Sequence, residues 1–400
     1  MLNQQVDILI VGGGLVGSTL MLSLVKAQYN ILMIEANAAS SIVHTRNIVL
    51  APASIAILKQ LNIWVDLQSY VVPIQSIHVS QQHYFGSTYL QKSEPLGYAI
   101  ELHDLSSVLQ KKIANLQIMT AAQLIQLDLQ QQIAIIKYND IELIITAKLI
   151  IAADGAHSTV RKLAQLPVKL KSYDQHALIA NIILNRPHDF HAYERFATKG
   201  PLAMIPMLGQ RSSLIWCLPP HEAHTLKLLD DDKFLLNLQK VFGYRLGKLQ
   251  QVSQRLVFPL QQLVMPIKIQ WPLVFIGNAA QTLHPVAGQG FNLGLRDAAT
   301  LAQCIIQHGI NKNMLDIYQS MRQQDQEVIT RFTDYLVRTF TSKIPGMSLI
   351  RMLGLLTMDN SKTLQKILAY YTCGYFGLLT SGIIIDKISN SILGKHVDSI

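Results

Sequence analysis

One stretch near the start of the chain restricts the fold more than anything after it: VDILIVGGGLVGSTLMLSLVKAQYNILMIEAN, residues 6–37. An apolar run ends in glycines, an apolar-periodic segment follows, and a second apolar run closes on Glu35. Gly12, Gly14 and Gly17 stand in G-x-G-x-x-G spacing. In a strand–turn–helix unit the first glycine permits the tight turn, the second lets backbone approach a pyrophosphate, and the third lets the helix pack on the strand. The start of the helix adds amide donors and a dipole that favours phosphate. Glu35, at the end of the next strand, is placed to accept from a ribose hydroxyl and disfavours a 2′-phosphate, so this pocket is expected to hold a dinucleotide other than NADP. A nicotinamide dehydrogenase and a flavoprotein both remain open at this point.

Two later segments separate them. LIIAADGAHSTVR, residues 149–161, is an apolar run followed by Asp154, Gly155, Ser158 and Arg161. Alone it reads as a turn and a helix start. GNAAQTLHPVAGQGFNLGLRDA, residues 277–298, sets a glycine-rich loop before an amphipathic helix. The ordered set, G-x-G-x-x-G, then D-G-x-x-S-x-x-R, then G-N-A-A…P-x-x-G-Q-G-x-N, resembles the group A flavin monooxygenases over about residues 5–345. Within them it looks most like the ubiquinone-biosynthesis hydroxylases, and the 277–298 segment is similar to the version in 2-octaprenyl-6-methoxyphenol hydroxylases, with Asn278 where Asp is usual. TRNIVLAPASIAIL (45–58), LGYAIELHDL (96–105) and ERFATKGPLAMIPM (194–207) add to that likeness.

The resemblance implies a mixed α/β, p-hydroxybenzoate hydroxylase-like fold. A Rossmann-like FAD-binding domain would be assembled from residues 1–70, 96–170 and 266–345. A β-sheet substrate domain would be inserted from 71–95 and 171–265, and 346–400 would form a helical C-terminal segment. It implies FAD as cofactor, NADPH or NADH as transient reductant, and O2 adding to the reduced flavin as a C4a-hydroperoxide. The oxygen would go to the ring of a polyprenylated phenol of the 2-polyprenyl-6-methoxyphenol type. Cofactor contacts carried over are Gly12, Gly14, Gly17, Glu35, Arg46, Asp154, Gly277, Asn278, Gly288, Gln289, Gly290 and Asn292. Arg46, His284 and Pro285 are carried over as the residues nearest the chemistry. Phe196, Leu202, Met204 and Met207 are candidates either for contact with a prenylated ring or for plain sheet packing. Asn278 for Asp, and Ser106 and Ser107 where many relatives place Gln or Arg, both bear on how firmly FAD is retained.

Trp64, Trp216 and Trp271 are too dispersed for the W-x-W-x-I-P element of flavin halogenases. A prenyl-lipid reductase and a non-catalytic scaffold in a ubiquinone-biosynthesis complex stay open. The net charge is +9, but Lys and Arg are scattered without interleaved aromatics, so nucleic acid is not an expected partner. Cys217, Cys304 and Cys373 form no C-x-x-C pair, and no metal site is expected. Strand pattern from about Val6 leaves no room for a signal or transit peptide, and the expected location is cytoplasmic. Half of the residues are hydrophobic and only 15% are charged, which favours contact with a membrane surface, here the inner face of the cytoplasmic membrane. Residues 367–385 carry no charge, but glycine, tyrosine and hydroxyl residues dilute them. That favours a packed, surface-lying or partner-binding tail over a membrane span.

Overall fold

A parallel sheet covered on both faces needs strands that are apolar in both directions, and ILIV and LIIA supply them. In the computed structural model, which describes residues 2–38, 46–341, 344 and 346–365, strand Leu2–Val11 lies between Ile141–Ala152 and Ile31–Glu35, parallel to both. Ile118–Thr120 extends the sheet beyond Ile31–Glu35, and Leu273–Phe275 extends it beyond Ile141–Ala152. Pairing of Leu9 with Ile150 and of Ile10 with Ile151 fixes the two faces. Ile8, Ile10, Leu149 and Ile151 meet helix residues Leu20, Leu24, Leu301 and Ile305. Leu9, Val11, Ile150 and Ala152 meet Leu124 and Ile136 of the antiparallel strands Ala122–Asp128 and Ile133–Tyr138.

A second, nine-stranded sheet is built around the long strand Lys169–Leu184, which pairs antiparallel with Arg211–Leu218 on one side and Leu256–Val264 on the other. Gly200–Met207, His191–Ala197 and the hairpin Ser76–Gln81 with Ser87–Gln91 continue it outward. One face carries Leu178, Leu202, Met204 and Trp216 against Phe234 and Leu238 of helix Asp231–Phe242. A small sheet of Asn47–Leu50, Gly97–Glu101 and Val72–Ile74 lies near the junction of the two large ones. Across that junction Asn47 Nδ2 donates to Asn181 Oδ1 at 2.7 Å.

Helix Gln289–His308 packs on helix Leu15–Leu24 and on Lys312–Thr341. Its contact with the latter buries four charges. Arg296 Nε donates to Asp325 Oδ2 at 2.9 Å, Arg322 Nε to Asp297 Oδ1 at 2.8 Å, and Arg322 Nη1 lies 2.7 Å from Asp325 Oδ2. Helix Met347–Asn360 lies against the Ser76–Gln91 hairpin, where an added Cβ at Gly86 would stand 2.8 Å from the Met352 carbonyl oxygen. Among the described residues no helix is long and apolar enough to cross a membrane. The uncharged segment 367–385 and Cys373 lie outside the described residues.

Candidate functional site

The three fingerprint glycines do different work. At Gly17 an added Cβ would sit 2.0 Å from the Gly12 carbonyl oxygen, and at Gly12, where φ is +110°, it would sit 2.5 Å from the Ala153 carbonyl oxygen. Both positions are closed by backbone. Gly14 precedes helix Leu15–Leu24, makes no side-chain cap hydrogen bond, and has no atom within 4 Å of where its Cβ would be. The helix start is left open at this point, and the free amides of a helix N-terminus favour a diphosphate. Beside it Glu35 Oε2 accepts from the Gly13 amide at 2.8 Å and Oε1 accepts from the Asn37 amide at 2.9 Å, which holds the carboxylate at the strand end.

Asp154 adjoins Gly12. Its Oδ2 accepts from the amides of Thr159 at 2.7 Å and Val160 at 3.1 Å, while Oδ1 is buried without a partner. Burial holds its carboxyl above the usual 3.8, against those hydrogen bonds. Ser158 caps the same short helix by accepting from the Arg161 amide at 3.0 Å, and Arg161 Nη1 donates to the Ala279 carbonyl at 2.9 Å. The D-G segment is thereby tied to the turn Gly277–Ala279. Gly277, at φ +58°, packs against Val16, and Asn278 is exposed.

From that turn the chain reaches the loop His284–Gly290. Gly288 takes a left-handed conformation, φ +60°, ahead of helix Gln289–His308, and an added Cβ at Gly290 would meet nothing within 4 Å. Asn292 holds this loop. Its Nδ2 donates to the carbonyls of Gly288 and Val49, each at 2.8 Å, and its Oδ1 accepts from the Ala51 amide at 2.8 Å and Ser54 Oγ at 2.7 Å. The Asn292 amide is therefore spent on backbone and Ser54, and Gln289 is likewise buried.

Loop and nine-stranded sheet enclose a cavity of about 360 Å³. Arg46, Asn278, His284, Pro285, Gly288 and Gly290 line it from one side, and Ala192, Glu194, Ala203, Ile205, Ile215 and Cys217 line it from the sheet. Arg46 lies over the Phe258 ring, 5.2 Å from its centroid, and burial lowers its pKa. His284 Nδ1 accepts from the Val286 amide at 3.2 Å, so a neutral imidazole carries its proton on Nε2, which is buried with no partner. Burial pulls the His284 pKa down to about 4. The Tyr173 ring meets it edge-on at 4.9 Å.

Two of the four residues considered for ring contact point the other way. Leu202 and Met204 are fully buried against Trp216 and Phe234 on the helix-covered face, because side chains alternate along a strand and it is Pro201, Ala203 and Ile205 that face the cavity. Met207 packs with Ile74 and Ala99. Phe196 lines a separate, more polar cleft with Gln81 and Lys199. Ser106 and Ser107 are half-buried on helix Leu102–Ile113.

Sequence reasoning missed Glu194 and Asn47. Glu194 opens the ERFATKGPLAMIPM segment and is lodged in the cavity, where burial raises its pKa to about 7. A carboxylate inside a period-two apolar strand was the available signal. Asn47, also on the lining, donates through Nδ2 to Asn181 Oδ1, which leaves its Oδ1 a buried acceptor without a partner. Among the described residues no group of His, Cys, Asp and Glu could hold a metal ion.

The open cradles at Gly14 and Gly290, the unpaired Asp154 Oδ1 and the unpaired His284 Nε2 suit a molecule with a diphosphate at one end and a polar-edged ring at the other. Residues 5–333 match the family described as FAD binding domain. The chain belongs to this family. FAD is its cofactor. It is 29% identical over 386 residues to the ubiquinone hydroxylase UbiL of Rhodospirillum rubrum, covering 92% of this chain and 89% of that one. It is 28% identical over 392 residues to the 3-demethoxyubiquinol 3-hydroxylase of Escherichia coli K12, covering 94% of this chain and all of that one. The crystal structure of p-nitrophenol 4-monooxygenase PnpA from Pseudomonas putida shares the fold, with a TM-score of 0.76 at 16% identity, over 94% of this chain and 99% of that one.

Proposed function

We propose that the protein is an FAD-dependent aromatic monooxygenase that hydroxylates the ring of a polyprenylated phenol in ubiquinone biosynthesis, using O2 and NAD(P)H. The observation that carries this reading is the cavity between the glycine loop and the sheet. It is apolar along Ile74, Ile77, Ala203, Ile205 and Ile215, with a few polar groups facing inward. Such a space excludes water and fits a ring with a hydrocarbon substituent.

FAD, when bound, takes electrons from NAD(P)H and activates O2. The residues of this chain place the ring and control its protons. Gly288 and Gly290 leave room for the flavin edge. Arg46 and Pro285 border the cavity. His284, held neutral, offers an Nε2–H donor to an oxygen brought beside it. Glu35, at the end of its strand, suits the free ribose hydroxyls of FAD. The sheet wall is read as the substrate side, and the dinucleotide unit as the FAD side.

The substrate lives in a bilayer, and a surface suited to meet one lies beside the hairpin. Helix Met347–Asn360 exposes Leu349, Ile350 and Leu353, and the adjoining hairpin exposes Phe85 at 97%. Together with the net charge of +9 this supports peripheral attachment to an anionic membrane face. Docking to partners of a biosynthetic complex would use the same exposed helix.

The test is turnover of a prenylated phenol by the FAD-loaded protein under isotopically labelled O2. One labelled oxygen in the ring product, with equimolar NAD(P)H oxidation, is the expected result. A reduced prenyl chain, or NAD(P)H oxidation with no labelled product, would refute it.

A further inference from the structure

Among the described residues lining the cavity, Glu194 is the single carboxylate. Its strand neighbour Ala203 and the next, Ile215, lie on the same wall, with Ala192 two residues before it, so its surroundings on the sheet are apolar. Among the described residues its carboxylate has no hydrogen-bond or ion-pair partner. A half-buried carboxylate set in an apolar wall and lining the cavity is placed to accept from a donor on a ligand held there. The other ionisable groups on the lining, Arg46, Tyr193, Cys217 and His284, cannot serve as base; burial holds the Tyr193 hydroxyl above its usual value and so protonated. Arg46 is a cation. The Cys217 thiol, two strands away on Arg211–Leu218, is pushed well up by burial and then by Glu194 itself. His284 has its Nδ1 engaged by the Val286 amide and presents only a donor.

Resting on the reading of the substrate as a phenol, we propose that Glu194 is the base that accepts the proton of the ring hydroxyl and holds the ring by that oxygen. The phenolic O–H bond breaks, its proton goes to a Glu194 carboxylate oxygen, and its electron pair moves into the ring. The activated ring carbon gains a hydroxyl from the oxygen donor and loses its own hydrogen as a proton to water. Glu194 then returns its proton to the phenolate oxygen. The second oxygen atom of O2 leaves as water with two electrons from NAD(P)H. A pKa of about 7, set by burial, lets the carboxylate both take and give this proton near neutrality.

The test compares full-length, FAD-loaded wild type with Glu194→Gln and Glu194→Asp, using a phenol with a short prenyl chain. In the wild type kcat/KM should fall about tenfold per pH unit below about pH 7. Glu194→Gln should lower kcat by about 10²–10⁴-fold and abolish that acid limb, while Glu194→Asp keeps the limb at a reduced rate. Binding of an alkyl-substituted 4-nitrophenol supplies a readout without turnover: wild type should bind it as the yellow phenolate, with the proton on Glu194, and Glu194→Gln as the colourless phenol. An unchanged acid limb and rate in Glu194→Gln, or equal phenolate colour in both, overturns the role of Glu194 alone. Failure of the wild type to bind or oxidise any phenol overturns the substrate reading and this assignment with it.

Discussion

Asn292 Nδ2 donates to the Gly288 carbonyl at 2.8 Å, and the same side chain accepts from the Ala51 amide at 2.8 Å. One amide thus fixes the conformation of the glycine loop and fastens it to the strand and helix that carry Asn47–Leu50 and Pro52–Gln60. Asn292→Ala leaves several buried groups unpaired, at about 1–3 kcal/mol for each that finds no water. The expected outcome is a lower Tm together with weaker FAD binding, read by thermal melts with and without added FAD. A variant with unchanged Tm would show the loop to be held by other contacts.

Gly14 and Gly17 should respond oppositely to a side chain. A Cβ added at Gly14 meets no protein atom within 4 Å, so for Gly14→Ala apoprotein stability should stay within about 1 kcal/mol while FAD affinity drops by on the order of 10-fold, the side chain intruding on the diphosphate space. Gly17→Val drives Cβ into the Gly12 carbonyl and should prevent folding of the first unit. Flavin titration of the two apoproteins, alongside urea unfolding, separates these effects.

The buried quartet Arg296, Asp297, Arg322 and Asp325 supports stability more than chemistry. Asp325→Asn strands two guanidiniums and should cost about 3–5 kcal/mol. The neighbouring arginines hold the Asp325 carboxyl below 3.8 despite its burial. Its contribution is therefore full above the unfolded pKa and is lost as pH falls through the folded one, so the wild type should lose stability below about pH 4. Urea unfolding at acid pH checks both statements.

His284 acts in a higher window. Unfolded, it takes a proton near pH 6.5; folded, burial delays that to about 4. The unfolded state binds more protons between those values, so stability should fall on acidification through this window, by about 3 kcal/mol for a shift of this size. His78, also drawn to about 4 chiefly by burial, adds to the same slope. His284→Gln should flatten the slope by about half if the two histidines contribute equally.

Phe85→Asp combined with Ile350→Asp should lower partition into anionic vesicles by at least about tenfold, since each apolar side chain contributes on the order of 1.5–3 kcal/mol when buried. Vesicle flotation of the full chain measures it. Equal flotation of variant and wild type would place membrane contact elsewhere.

What the sequence determined by itself was local and periodic. The glycines at 12, 14 and 17, the acidic end of the next strand, and the two-faced apolar runs specify a strand–turn–helix in a covered parallel sheet, because each depends on backbone geometry within a few residues. The D-G and G-N segments were legible in the same way, and so was the FAD-binding family. The cavity was decided by tertiary structure. Its walls come from residues within 46–49, 74–77, 192–205, 215–217 and 278–291, and no local pattern states which strand face turns toward the loop. Shifting by one residue along Gly200–Met207 exchanges Leu202 and Met204 for Ala203 and Ile205, so composition alone could not choose between core and cavity. Glu194 and Asn292 divide along the same line. One is a charge whose meaning comes from the apolar wall around it, the other a motif residue whose amide binds Gly288 nearby and three partners more than two hundred residues away in sequence. Burial and pairing are properties of assembled surfaces, and they set both roles.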